Sequence, residues 1–267
     1  MSYIQLSIEA GESSQEVLIA QLSALEATGF EQTDTHLIAY FNEDAFPSYA
    51  VNEVLKKFVY HIQTVKEQNW NALWEVSFQP VVVDQFCAIR AHFHQPVLGV
   101  QHEIIITPKM SFGTGHHATT YLMLHGMKSL DFKGKNVLDF GTGTGVLAIL
   151  AEKLGAAKIT AMDNDKWSFE NVQENIQLNR CSKVKALHTD QIPRKELYDI
   201  ILANITKSVL LSYMGILKSC LNSNGLLLLS GIFQEDKPAM VVAAQNWGMK
   251  LVAEEVRENW LSLRFVS

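Results

Sequence analysis

VLDFGTGTG, residues 137–145, is the stretch that decides the fold. Residues 136–140 (NVLDF) read as a buried strand, glycine then recurs at 141, 143 and 145, and residues 145–154 (GVLAILAEKL) read as a helix. A strand, a glycine turn and a helix in that order make the first unit of an α/β sheet. The pattern continues outward: strands are expected at 158–162, 184–188, 199–204 and 226–230, with helices between them, including 167–178. Strand–helix–strand crossovers wind right-handedly, so these units predict one doubly wound parallel sheet with helices on both faces. Residues 249–258 and 260–266 read as an antiparallel hairpin that closes the sheet, which an ordinary dinucleotide domain does not need.

In such a sheet ligands bind beyond the carboxyl ends of the strands, where glycines let the backbone approach without an intervening Cβ. Gly141, Gly143 and Gly145 meet that need, and Asp163 follows Gly141 by 22 residues, at the end of the next strand. A carboxylate at about 20 residues' distance is placed to accept hydrogen bonds from both ribose hydroxyls of an adenosine. The dinucleotide fingerprint requires glycine at 146, which is Val146, and no Lys-Ser or Lys-Thr closes a phosphate loop. S-adenosylmethionine remains, since it keeps the adenosine and replaces phosphates with a methionine. Asp139, just before the turn, can help place the methionine ammonium or can stabilise the loop as a strand-end acid. PKMSFGTGHHATT, residues 108–120, reads as a second loop on the cofactor side. Its His116–His117 pair has no Cys, Asp or Glu at ligand spacing, so a clamp is expected there and no metal. In DIILANITK, residues 199–207, Asn204 ends a strand where it can accept a hydrogen bond from an incoming amine, or can cap the following helix.

The first third has a different grammar. Residues 3–9 alternate like a strand, 13–28 carry apolar residues at helical spacing, 30–41 read as two strands, 49–60 as a helix and 61–65 as a last strand. The order βαββαβ predicts a small ferredoxin-like unit. A helical linker is expected at about 66–77, with Trp70 and Trp74 on one face as packing anchors. Hydrophobic residues at 48% and charged residues at 19% describe a globular protein with a sizeable core. The start has no secretory pattern, no apolar run approaches the ~20 residues of a membrane span, and three scattered cysteines suggest neither a disulfide framework nor a zinc site. A reduced, cytoplasmic setting is expected. Formal net charge is −6, yet residues 1–65 alone hold nine acidic side chains against Lys56 and Lys57. That asymmetry repels phosphate backbones and suits a basic partner, although a solvated acidic surface gives the same count.

Together the FGTGxHxTT segment at 112–120, the LDFGTGTG turn, Asp163 and the strand ANI at 203–205 resemble the bacterial ribosomal protein L11 methyltransferases, over most of the chain including the Trp70–Trp74 linker. The resemblance implies a class I, Rossmann-like methyltransferase domain at 96–267, a ferredoxin-like substrate-recognition domain at 1–65, and a helical linker with connecting strands at 66–95. It implies methylation of lysine side chains and the N-terminal amine of a large-subunit ribosomal protein by a monomer, without direct nucleic-acid binding. The implied cofactor contacts are Thr120, Gly141, Asp163 and Asn204, with Phe112 and His117 flanking the methionine part; Gly143, Asp139 and Asp190 complete the candidate set. Asn204 is the expected orienting group for the amine, with His117 or water taking its proton. This chain departs from the family's pattern at Thr142, usually Cys, and at Ala118 and Lys166, usually Pro; a less stiff loop is expected at Ala118. A methyltransferase of the same fold acting on RNA or on a small-molecule amine is the alternative, and a catalytically silent cofactor-binding module a more distant one.

Overall fold

The computed structural model describes residues 2–66, 78–109, 112–193 and 196–267. The chain separates into two units, Met1–Ser77 and Phe78–Ser267. The expected helix carrying Trp70 and Trp74 lies outside the described residues.

The first unit runs β1 (Ser2–Glu9), α1 (Glu12–Ser23), β2 (Gly29–Gln32), β3 (His36–Asn42), α2 (Ser48–Leu55) and β4 (Tyr60–Lys66). Its sheet has the order β2-β3-β1-β4 with antiparallel neighbours throughout. Ile4, Leu6 and Ile8 alternate onto one face and are buried with Leu18 and Leu22 of α1 and Val51 and Leu55 of α2. Both helices stop sooner than their apolar spacing predicts. Glu26 takes a left-handed φ of 67° after α1, and Ala27 donates to the Leu22 carbonyl, which turns the chain before Gly29. After α2 the Phe58 amide closes a turn on the Leu55 carbonyl, and Tyr60 already pairs with Ile8.

The second unit begins with a three-stranded sheet, β5 (Val81–Val83), β6 (Cys87–Ala91) and β7 (His102–Ile106), in that order. Residues 78–95, expected to be part of a connector, thus belong to this unit: Phe78, Val83, Phe86 and Ile89 are buried in its core. The connecting strands expected here pair across residue 95, β6 on β7, a non-local contact that spacing along the chain does not announce. Then come α3 (Ala118–Met127), β8 (Asn136–Phe140), α4 (Val146–Lys153), β9 (Lys158–Asp163), α5 (Lys166–Leu178), β10 (Val184–His188), β11 (Tyr198–Asn204), α6 (Lys207–Ser219), β12 (Leu221–Phe233), α7 (Lys237–Asn246), β13 (Lys250–Arg257) and β14 (Trp260–Val266).

The seven-stranded sheet has the order β10-β9-β8-β11-β12-β14-β13, parallel from β10 to β12 and antiparallel at β14. Its central strands are buried on both faces, which is why they read as continuous apolar runs. Val137, Ile200, Leu202 and Leu228 face α3, α4 and the small sheet; Leu138, Phe140, Ile201, Leu227 and Leu229 face α6 and α7. The order reverses between β8 and β11. At such a switch point the helices leave in opposite directions and open a crevice beyond the strand ends. The glycine turn after β8 and Asn204 at the end of β11 therefore share one crevice.

Candidate active site

Glycine is required in the turn after β8. Gly141 and Gly143 take φ of 76° and 55°, a region that costs other residues about 1 kcal/mol. A Cβ at Gly141 would lie 2.4 Å from Ile205 Cγ2, and one at Gly143 only 2.3 Å from the Phe112 carbonyl oxygen. The amides of Gly141 and Thr142 both donate to the Met162 carbonyl, at 2.9 and 3.0 Å, and so hold the turn against the end of β9. The next residue is Asp163. Its Oδ2 accepts from the Gly143 amide at 2.9 Å and its Oδ1 from the Asp165 amide at 3.0 Å. An ionised carboxylate offers about four acceptor sites, so lone pairs remain for two hydroxyls of a ligand.

Asp139 sits one turn deeper and is fully buried. Its Oδ2 accepts from Thr142 Oγ1 at 2.6 Å and from the Ala148 amide at 3.2 Å, which ties β8 to the turn and to the start of α4. Burial pushes its carboxyl up to about 7, against those two hydrogen bonds, and the nearby Asp163 charge adds to the rise. These contacts are those of the loop-stabilising strand-end acid.

A cleft of about 470 Å³ opens over the strand ends, within the range of small-ligand sites. Of the residues singled out from sequence, Phe112, Gly141, Gly143, Asp163, Asp190 and Asn204 line it; His117, Thr120 and Asp139 do not. Phe112 stands on the rim, 52% exposed, with its ring 5.3 Å from that of His117. His117 Nδ1 lies 2.8 Å from Thr119 Oγ1 and accepts from the Thr119 amide, which makes His117 the N-cap of α3. The expected proton acceptor has one ring nitrogen engaged by its own helix, and its other neighbour is the Trp260 ring at 4.6 Å. Thr120 is buried in the first turn of α3. Thr120 Oγ1, Asp139 Oδ1 and Asn204 Oδ1 are all buried with no hydrogen-bond partner among the described residues. Most buried polar atoms are paired, and Asn204 Oδ1, the one of these three that belongs to a cleft-lining residue, is placed for a ligand atom to complete its bonding.

Sequence reasoning did not single out Phe140, Met162, Ile205 and Val209, which make the apolar wall, or Thr189 and Tyr213 on the far side. Tyr213 donates to the Asp190 carbonyl at 3.2 Å. Ile205 and Thr189 adjoin residues already chosen at strand ends, so their position was a usable signal. Val209 and Tyr213 reach the cleft from α6, and nothing in local spacing announces that. Among the described lining residues the charged ones are Asp163 and Asp190, with no Lys or Arg. A pyrophosphate would meet two carboxylates there without a counter-charge, whereas a neutral adenosine carrying a sulfonium meets favourable charge. Among the described residues no group of three His, Cys, Asp or Glu could hold a metal ion.

The family described as ribosomal protein L11 methyltransferase (PrmA) matches residues 3–267. The chain belongs to this family. The L11 methyltransferase of Porphyromonas gingivalis is 38% identical over 264 residues, which cover 95% of this chain and 91% of that one. That of Chlorobaculum tepidum is 36% identical over 276 residues, covering 98% and 95%. A solved ribosomal protein L11 methylase from Lactobacillus delbrueckii subsp. bulgaricus is 30% identical with a TM-score of 0.66, covering 70% of this chain and 98% of that one. A Pyrococcus furiosus methyltransferase, 19% identical with a TM-score of 0.53 over 61% of this chain and 88% of that one, shares the fold. The L11 methyltransferase family member described here is an S-adenosylmethionine-dependent enzyme with the class I methyltransferase α/β fold. The glycine cradle, the Asp163 lone pairs, the orphaned Asn204 oxygen and the cation-free cleft all fit that cofactor.

Proposed function

We propose that this protein methylates amines of ribosomal protein L11, lysine side chains and the N-terminal α-amine, with Asn204 orienting the acceptor. The observation that carries the reading is Asn204 Oδ1: a buried acceptor without a partner among the described residues, lining the cleft at the end of β11 across the switch point from the glycine turn. S-adenosylmethionine supplies an electrophilic methyl group, so the chain's own task is to hold and align. Gly141, Gly143, Asp163 and Asp190 hold the cofactor from the β8–β10 side, with Phe112 closing the other side. A free lysine amine has a pKa of about 10.4 and must arrive neutral to attack. The apolar wall of Phe140, Met162, Ile205 and Val209 disfavours the ammonium by desolvation. An amine N–H donated to Asn204 Oδ1 leaves the lone pair free to face the methyl group. The proton passes to water, since His117 caps its helix.

The N-terminal unit serves substrate recognition. Its βαββαβ order and antiparallel β2-β3-β1-β4 sheet support a ferredoxin-like reading, and the nine acidic side chains against two basic ones in residues 1–65 suit a basic protein substrate. The setting proposed is the cytoplasm, where the protein acts on a ribosomal protein as a monomer; no described helix is long and apolar enough to cross a membrane. The test is incubation with labelled S-adenosylmethionine and, separately, purified L11, rRNA and a free small-molecule amine. Label on L11 is expected, and Asn204→Ala is expected to lower kcat about 100-fold, within the range of one lost transition-state hydrogen bond. Label on rRNA alone, or full turnover by Asn204→Ala, would overturn the proposal.

A further inference from the structure

Thr144 and Asn175 are fully buried, outside the lining of the cleft, and have no part in the chemistry described above. Both nonetheless grip the segment that carries Phe112. Thr144 spends all of its polar groups on other parts of the chain. Its amide donates to the Phe112 carbonyl at 3.0 Å, its hydroxyl donates to the Gly113 carbonyl at 2.8 Å, and its own carbonyl accepts from Asn175 Nδ2 at 2.8 Å. Gly113 has φ of 105°, and a Cβ there would lie 2.7 Å from Thr144 Oγ1, so the contact demands glycine as well as threonine.

Asn175 is the centre of a row along one face of α5. Asn171 Nδ2 donates to the Thr107 carbonyl at 3.1 Å, and Asn175 Oδ1 accepts from the Thr107 amide at 2.8 Å. Asn179 both accepts from the Ile105 amide at 3.0 Å and donates to the Ile105 carbonyl at 2.6 Å. Four residues of helix rise about 6 Å and two residues of strand about 6.6 Å, so side chains at i, i+4 and i+8 can follow alternate residues of an extended segment. β7 is the edge of its small sheet among the described residues, and this row of amides pairs with the edge that no described strand covers.

We propose that Thr144 and Asn175 are positioning residues for the cofactor cleft: through one shared clasp they fix Thr107, Phe112 and Gly113 against the glycine turn and so set Phe112 in the cleft wall. Phe112 is half-exposed, so its placement rests on its backbone more than on packing of its ring. The proposal depends on the functional reading above only for the identity of the ligand.

The experiment is calorimetric titration of the full chain with S-adenosylmethionine, which needs no acceptor and stands whether or not L11 is the substrate. Thr144→Val removes the hydroxyl donor at nearly constant volume and is expected to weaken binding about 10-fold, whereas Thr144→Ser is expected to stay within two-fold of wild type. Because Thr144 acts through Phe112, Thr144→Val added to Phe112→Ala should cost less than a further two-fold. In turnover assays KM for S-adenosylmethionine should rise while KM for the acceptor stays unchanged. Thr144→Ala, which introduces no bulk, serves if the valine chain is unfolded by circular dichroism. Wild-type affinity in a folded variant lacking the hydroxyl, or an undiminished Thr144→Val penalty in the Phe112→Ala background, would overturn the proposal. Loss of folding in both variants would overturn it too, since Thr144 would then hold the domain rather than Phe112.

Discussion

Gly143→Ala tests the cradle most directly. The substitution asks alanine to hold φ of 55°, which costs about 1 kcal/mol. Its Cβ would lie 2.3 Å from the Phe112 carbonyl oxygen and 3.2 Å from the carbonyl carbon. That oxygen belongs to backbone and already accepts from the Thr144 amide at 3.0 Å, so it cannot move aside as a flexible side chain would. Either the Phe112–Thr144 bond opens or residue 143 retreats and its 2.9 Å bond to Asp163 is lost. Each outcome costs roughly 1 kcal/mol more. The total is about 2 kcal/mol, and if it falls on the cofactor-binding conformation it weakens S-adenosylmethionine binding about 30-fold, at 1.4 kcal/mol per tenfold. Gly134→Ala is the control: φ is 72° but nothing lies within 4 Å of its Cβ, so it should lose about 1 kcal/mol of stability and no affinity. Calorimetric titration of both variants, with urea unfolding alongside, decides the matter. Equal affinities for Gly143→Ala and Gly134→Ala would refute the close-approach reasoning.

Two further outcomes follow from the carboxylates. Asp163→Asn keeps the shape but puts a donor against one of two backbone amides, and is expected to lower S-adenosylmethionine affinity by at least 10-fold in the same titration, with Kd unchanged as the contrary result. Asp139→Asn keeps an acceptor for Thr142 and Ala148 and removes the titration of a carboxyl that burial holds near 7. A raised folded-state value means that stability is fullest below the unfolded value of 3.8 and is lost as pH rises toward about 7. Urea unfolding should therefore show Asp139→Asn gaining on wild type between about pH 4 and pH 7, by on the order of 4 kcal/mol, with the difference level above that. A difference that does not vary with pH would count against the buried-carboxyl assignment.

Legibility in the sequence tracks whether a requirement is local. Gly141, Gly143 and Asp163 could be read because a ligand held by backbone needs glycine at a strand end and an acid at the next one, and both conditions are met within 22 residues. Asn204 could be read because strand-end position is local too. Asp139 could not be settled: only the packing of α4 above it, with the Ala148 amide pointing down, makes it a support rather than a ligand contact. His117 shows the same limit, since its Nδ1 serves as helix cap through Thr119, a choice between two local partners and a distant one that spacing cannot make. Asn171, Asn175 and Asn179 carry no local signal beyond being polar residues in a helix and at its end, yet Asn171 and Asn175 are fully buried. Their partners, Ile105, Thr107 and Thr144, lie 31 to 74 residues away in the chain.

The placement of charge then explains why this sheet takes a sulfonium cofactor and not a dinucleotide. Both folds bring a glycine turn and an acid to a switch point. What differs is the remainder of the cleft, where Asp190 joins Asp163, no described lining residue is cationic, and the opposite wall is apolar up to Asn204. Two carboxylates lining the same cleft would lower the free energy of a cationic cofactor bound there, and methyl transfer would discharge that cation. The same carboxylates therefore favour the charged cofactor over its neutral demethylated product. Strengthening that field would tighten binding at the expense of turnover. Proximity of Asp163 to Asp139 links the two effects: the buried carboxyl titrates near 7 partly because of the Asp163 charge, so Asp163→Asn should lower the Asp139 value and shift the pH window of stability downward. An unshifted window in Asp163→Asn would mean that burial and the two hydrogen bonds from Thr142 and Ala148 set the Asp139 value, and that the acid lining the cleft and the acid bracing the turn are electrostatically independent.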